Sequence, residues 1–287
     1  MRNFNFLEEN FTQSFNQWVN TFAKKTGSNV YSIYPQFGTG TFQIFNIERG
    51  FQVRLWECKL NDSVELHRQS QNSKSIRSFT IIFYLTPEFL LHKKSENNYQ
   101  PINKIWNTVL LSNDAILDMQ VLADEQIKIC SINLSVEWLT QNLSKEFFNN
   151  LFEIIISGDK PICIFESSSN VEQKKIGELY NKISQKLLGN FFIHSCALYI
   201  INDFFTKLNL RNASSIINKN YNPVIFEIEK KLTNIKDAKL PSLKVLSEEF
   251  SMSESTLKRN FKKMYGKNIS EYIKEKKGNS NEDLLDK

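Results

Sequence analysis

Apolar and polar side chains alternate with a period of two through much of the first half of the chain. TFQIFNI, the turn signal Glu48-Arg49-Gly50 and FQVRLWECKL place Phe51, Val53 and Leu55 on one face, as a β-hairpin requires. Phe37-Gly38-Thr39-Gly40 reads as a tight turn just before it. Further strand-like runs are SFTIIFYL (Ser78 to Leu85), KIWNTVLL (Lys104 to Leu111) and QIKICSINL (Gln126 to Leu134), joined by polar or proline-containing connections. Short strands at this spacing predict a small antiparallel sandwich or barrel.

After about Val136 the period changes to 3.6. EWLTQNL and KEFFNNLFEIII read as short helices, Gly158-Asp159-Lys160-Pro161 breaks the pattern, and PICIFES is an apolar run of either type. Two longer helices follow. Val171 to Leu188 aligns Ile176, Leu179, Tyr180, Ile183 and Leu187, and Asn190 to Leu210 carries a broad stripe through Ile193, Ala197, Ile201, Phe204, Phe205 and Leu208. They are expected to pair as an antiparallel hairpin. The hairpin either covers the core or makes a dimer with its leftover apolar surface, and an apolar width that includes Phe192 and Leu198 favours the dimer.

Arg211 to Tyr221, rich in Asn and Ser, reads as a linker. Asn222 to Ile235 then offers the first helix of a new unit, with Pro223 near its start, where a missing N–H costs little. Ser242 is a natural N-cap for SLKVLSEEF, whose Leu243, Leu246 and Phe250 recur at three and four. After the polar turn Ser251-Met252-Ser253, Ser253 caps a second helix, ESTLKRNFKKMY, which Gly266 stops. Leu257, Phe261 and Met264 share its inner face, whereas Ser255, Lys258, Arg259, Lys262 and Lys263 fall elsewhere. A bracing helix, a tight turn and a basic helix form the layout of a DNA-binding helix-turn-helix.

The fold class expected is therefore α+β. A β-rich sensor and dimerisation domain with a helical hairpin occupies 1–210, a linker 211–221, an all-α helix-turn-helix domain 222–277 and a disordered tail 278–287. A length of 287 residues suits two domains, and an apolar share of 41% can bury sizeable cores. Charge sharpens this picture. Lys236 to Lys277 holds eleven Lys or Arg against six Asp or Glu, so the whole net charge of +5 sits in that segment. A basic end on a neutral body suits a polyanion-binding module, because phosphate contacts supply most non-specific nucleic-acid affinity; a solvated lysine-rich tail would look the same by charge alone.

Other chemistry is thin. Cys58, Cys130, Cys163 and Cys196 lie more than thirty residues apart and form no CxxC pair, which argues for reduced, mostly buried thiols in a cytoplasmic protein. No apolar run approaches a membrane span, and the start MRNFNFLEENFTQSF lacks a signal-peptide pattern. His67, His92 and His194 are scattered, with no GxSxG, HExxH, Walker loop or GxGxxG. His67 beside Glu65 reads as a surface strand pair. Neither a metal, a cofactor nor an enzymatic activity is expected.

LPSLKVLSEEFSMSESTLKRNFKKMYGKNISEYIKEKK resembles the first helix-turn-helix of the AraC/XylS family of bacterial transcription regulators. Leu246, Ser253, Leu257, Arg259, Phe261, Lys262, Gly266 and Tyr272 stand where that pattern asks for them, with Ser247 in place of its alanine and Lys277 in place of its arginine. The match covers about forty residues. More loosely, QFGTGTFQIFNIERGFQVRLWECKL and SVEWL resemble the sensor half of members that answer small molecules. The resemblance implies a sequence-specific DNA-binding regulator with a small-molecule effector and a homodimer. It also implies that Ser255, Lys258 and Arg259 touch base edges and that Ser253, Lys262 and Lys263 lie at phosphates. For Arg259 an ion pair to Glu248 or Glu249 is the competing role. Members normally carry a second helix-turn-helix, whereas here EYIKEKK runs into Gly278-Asn279-Ser280-Asn281 and ends at Lys287. A natural short form, a fragment and a frameshift all fit, and so does a partner that binds no DNA and dampens a full-length regulator through its ligand-binding or dimerising half. The aromatics Phe42, Phe45 and Trp56 are candidates both for a ligand pocket and for core.

Overall fold

The computed structural model describes residues 2–7, 11–69, 77–95, 98–101, 107–143, 161–184, 189–209, 223–234, 241–265 and 268–273. Two compact units divide the chain, Met1–Phe205 and Thr206–Lys287. The division falls inside a helix, a few residues before the expected linker. That linker, the run 145–156, Gly266 and the tail from 278 onward lie outside the described residues.

The first unit is built on two sheets. In one, the strand order is β1 (Arg2–Leu7), β6 (Val64–Gln69), β11 (Leu117–Val121), β8 (Leu90–Ser95), β9 (Asn98–Pro101). In the other it is β13 (Cys163–Glu166), β10 (Thr108–Ser112), β7 (Ser78–Tyr84), β12 (Gln126–Ser135), β5 (Phe51–Leu60), β4 (Gly38–Glu48), β3 (Val30–Ile33), β2 (Ala23–Lys25). β1 and β6 pair in parallel, in register from Arg2 with Val64 to Leu7 with Gln69. The ambiguous PICIFES run is strand β13, antiparallel to β10.

The β4–β5 hairpin turns at Gly50, where φ is +81° and a Cβ would sit 2.2 Å from Ser135 Oγ. Ser135 in turn caps helix α2 (Val136–Asn142) by accepting a bond from Trp138 N. The expected tight turn at Phe37-Gly38-Thr39-Gly40 is corrected: Gly38 to Gly40 already belong to β4, paired with Leu60 to Cys58. Gly40 is needed there because its φ is +119° and a Cβ would lie 2.2 Å from the Glu57 carbonyl oxygen. Its role is close strand approach.

Alternation in VELHRQ points Val64, Leu66 and Arg68 inward, where they are buried, and leaves Glu65 and His67 only partly covered. His67 Nδ1 lies 3.1 Å from Asp118 Oδ1 on the neighbouring strand and Nε2 lies 3.5 Å from Glu65 Oε2, so this histidine is part of a strand-surface polar pair. Helix α1 (Phe11–Phe22) sets Trp18, Val19 and Phe22 against the sheets, joining a core cluster that draws residues from both.

The opposite face of the larger sheet is covered by helices. Helices α3 (Asn170–Ser184) and α4 (Asn190–Asn209) run antiparallel, since Ser169 Oγ donates to Asp203 Oδ2 at 2.6 Å, Lys175 lies over Tyr199 and Lys182 over Phe192. Glu172 and Ser169 form a reciprocal capping box at the start of α3. From α4, Phe204 packs edge-on to Phe83 of β7. Phe192, expected as exposed apolar surface, is half-buried beneath the Lys182 ammonium at 3.9 Å; the residue that protrudes is Phe191, 90% exposed.

The second unit contains α5 (Pro223–Asn234), α6 (Leu243–Glu249), α7 (Glu254–Tyr265) and a helical turn at 269–273. Ile228, Leu232, Leu246, Leu257, Phe261 and Ile273 supply its buried apolar side chains.

Candidate functional site

Local chemistry sets the geometry of α6 and α7. Ser242 Oγ accepts from Val245 N and Ser253 Oγ from Thr256 N, so each helix starts at a serine cap worth about 1 kcal/mol. Between the helices Ser251 takes φ +51°, and Met252 N donates to Ser247 O at 2.9 Å, closing the turn within a few residues. Ser247, which stands where alanine was anticipated, donates its hydroxyl to the Lys244 carbonyl oxygen and so remains satisfied while buried.

Helix α7 is sharply two-sided. Leu257 and Phe261 are fully buried, and Ser255, Lys258, Arg259 and Lys262 are exposed. The side chain of Lys263 lies outside the described residues, as does that of Met264. The predicted base-edge residues Ser255, Lys258 and Arg259 are therefore brought onto accessible surface of one short helix. Ser253 is exposed as well, but its hydroxyl is engaged three ways, with Ser255 Oγ, Thr256 Oγ1 and Thr256 N. Its side chain is a helix cap first. The competing ion pair from Arg259 to Glu248 or Glu249 does not form among the described residues. Glu249 pairs with Lys231 of α5 at 2.5 Å instead.

One supporting contact escaped the sequence pattern. The Tyr272 hydroxyl donates to Glu229 Oε1 at 2.8 Å, and the Tyr272 ring meets Phe261 edge-on at 5.5 Å. A helical turn after α7 thus ties the inner face of α7 to α5. Asn268 and Glu271 start that turn with reciprocal capping bonds.

In the first unit the two sheets enclose a cavity of about 120 Å³. Register orders its wall. Phe42, Trp56, Ile129 and Tyr84 line it as one lateral row across β4, β5, β12 and β7; Arg54, Ser131 and Ile82 line it from the next; and from the third row, Asn46, Gln52, Asn133 and Thr80, Thr80 alone reaches it. The wall therefore runs from aromatic to polar along the strands. Its polar end is bonded to side chains beyond the lining: Arg54 Nε donates to Gln52 Oε1 at 2.6 Å, Gln52 Nε2 to Asn46 Oδ1, and Thr80 Oγ1 to Asn133 Oδ1.

Across from this wall Leu66, Leu117, Met119 and Val121 line the cavity from the smaller sheet, and Phe6, Trp18 and Phe22 from the N-terminal segment. Arg68 also faces it, with Nη1 donating to the carbonyls of Ser112 and Ala115. The Tyr84 hydroxyl is buried at the lining with no hydrogen-bond partner among the described residues, and burial raises its pKa above the ordinary tyrosine value. Of the aromatic candidates Phe42 and Trp56 line the cavity, their rings 4.5 Å apart, and Phe45 does not.

Cys58, Cys130 and Cys196 are buried free thiols, and Cys163 is exposed. Among the described residues no group of three or more His, Cys, Asp or Glu could hold a metal ion, and no helix is long and apolar enough to cross a membrane.

No protein-family model matches the chain, and no curated protein sequence matches it. Among solved structures, the chain is similar to ToxT from Vibrio cholerae O395, with 16% identity, 83% of each chain covered and a TM-score of 0.32. It is also similar to an apo variant of ToxT from Vibrio cholerae strain SCE256, at 14% identity, covering 78% of this chain and 97% of that one, TM-score 0.31. Wild-type ToxT of that strain, bound to an unsaturated fatty acid, gives 15% identity, 79% and 95% coverage and a TM-score of 0.30.

Proposed function

We propose that this protein is a sequence-specific DNA-binding transcription regulator of the AraC/XylS type, acting by binding and not by catalysis, in the cytoplasm. The observation that carries the reading is helix α7, whose apolar face is sequestered on Leu257 and Phe261 and whose opposite surface exposes Ser255, Lys258, Arg259 and Lys262. A slim, capped, basic helix fits the major groove, where arginine offers two parallel donors to guanine and lysine reaches guanine or phosphate. Arg259 has no ion-pair partner among the described residues, so such a contact breaks nothing inside the fold. Lys262 and Lys263 are assigned to phosphates, and Ser253 contributes chiefly by ordering the start of the helix.

The reading includes an effector site in the first unit. A chamber with a mostly apolar lining, an aromatic end and a polar end carrying Arg54 suits a small molecule with an apolar body and one polar or acidic end. It also includes a homodimer through the outer surface of α4, where Phe191, Leu198 and Tyr199 are exposed at a spacing of seven and eight residues.

A gel shift of the purified full chain on the DNA upstream of its own gene tests the central claim. A retarded band that the same unlabelled DNA competes away, and unrelated DNA does not, is expected. Absence of any shift at micromolar protein and low salt would overturn it in favour of a partner that works through its ligand-binding or dimerising half.

A further inference from the structure

The residues that shape the effector cavity are also gripped from behind. Tyr180 of α3 places its hydroxyl 3.0 Å from the Trp56 carbonyl oxygen and 2.8 Å from the Ile129 carbonyl oxygen. Trp56 and Ile129 face each other across the β5–β12 ladder, and both line the cavity. A hydroxyl has one proton, so Tyr180 shares it between two acceptors and senses their spacing. Its ring is held in place by the Lys128 ammonium, 5.5 Å away, which itself pairs with Glu57 at 2.8 Å.

We propose that Tyr180 is a positioning residue that transmits the shape of the cavity wall to α3, making the α3–α4 hairpin the output of the effector site. This rests on the cavity being the effector site. Packed interiors deform little, so a body wedged against Trp56 and Ile129 must move the strands that carry them. Moving either strand shifts one carbonyl relative to the other, and the single Tyr180 proton must then choose one acceptor or follow with its helix. The hairpin cannot absorb that shift locally. Its first turn is pinned, because Ser168 exchanges hydrogen bonds with Asn107 and Ser169 donates to Asp203 of α4. A displacement at Tyr180 therefore passes into α3 and, through the Lys175–Tyr199 and Lys182–Phe192 contacts, into α4.

The test is amide hydrogen exchange of segments 170–184 and 190–209 in the full chain, with the cavity filled in two ways: by Met119→Trp, which adds a permanent ring, and by saturating hexanoate, whose binding is followed by tryptophan fluorescence. Each is repeated with Tyr180→Phe, which keeps the ring and removes the hydroxyl. If Met119→Trp fails to fold, Ile82→Phe supplies a smaller filler. Filling is expected to change exchange in 170–184 by at least about threefold, and Tyr180→Phe to abolish that response while hexanoate still binds. An unchanged hairpin on filling, or an equal response in Tyr180→Phe, would overturn the proposal. If the filler moves the hairpin through Tyr180 but hexanoate does not bind, the coupling stands and the assignment of an acidic apolar effector falls.

Discussion

The Tyr272 hydroxyl donates a 2.8 Å hydrogen bond to Glu229, and both side chains are buried. Because the Tyr272 ring also rests on Phe261, this bond orients α7 relative to α5. Tyr272→Phe removes one hydrogen bond to the buried Glu229 side chain and should lower the stability of the second unit by about 1 kcal/mol. DNA affinity should fall with it, the two effects read by chemical denaturation and anisotropy. A neutral Tyr272→Phe would show that apolar packing alone orients the helix.

Base readers and phosphate anchors respond differently to truncation. Arg259→Ala and Lys258→Ala should each cost about 1–3 kcal/mol on the preferred site and relax its sequence preference, whereas Lys262→Ala should weaken all sequences alike. Since Arg259 is exposed and unpaired among the described residues, Arg259→Ala should leave the melting temperature unchanged. A large loss of stability would instead reveal a structural role.

Salt measures the phosphate contacts. If about four to six phosphates are neutralised, the logarithm of affinity should fall with the logarithm of salt at a slope near −4 to −5. A slope near zero would remove the electrostatic basis of the reading.

Phe191 protrudes from the first turn of α4. Phe191→Glu should shift sedimentation of the full chain from dimer to monomer without lowering thermal stability, because no covered contact of the fold is lost. The half-buried Phe192 behaves otherwise: Phe192→Glu disturbs the Lys182 contact and should destabilise the hairpin. A wild-type chain that sediments as a monomer would remove the dimer from the proposal.

Burial raises the Cys58 and Cys130 thiols to about 12, with the Glu57 charge adding to the first. At pH 8 the thiolate fraction is on the order of 10⁻⁴, so neither should react with a disulfide reagent until the chain unfolds. The folded-state pKa lies above the unfolded one. Stability from these neutral thiols is therefore complete below about pH 8.5 and lost as pH rises towards 12. The melting temperature should begin to fall above about pH 9, and Cys130→Ala should flatten that decline. Mass spectrometry finding Cys130 modified in native protein at pH 8 would contradict this.

Elements that announce themselves locally were legible in the sequence. The β4–β5 hairpin followed from the turn signal at Gly50 and the alternation of Phe51, Val53 and Leu55. The helices from Asn170 onward followed from 3.6-residue spacing and from caps at Ser242 and Ser253, whose partners lie three residues away. The two faces of α7 followed for the same reason, since a helix fixes which side chains share a face within its own few turns. What pairs over long sequence separations was decided only in three dimensions. β1 joins β6 some sixty residues on, Gly38 and Gly40 enter a strand because β5 approaches them, and Tyr272 finds Glu229 on another helix. The cavity belongs to this second class. Arg54, Ser131 and Ile82 become one partly polar row, and Trp56, Ile129 and Tyr84 one mostly aromatic row, solely through the registers of three strands. Tyr180 reaches that wall because the hairpin is pinned beside it. Local propensity writes an element into its own residues, whereas register and cavity shape are collective minima of packing, to which no single segment holds the answer.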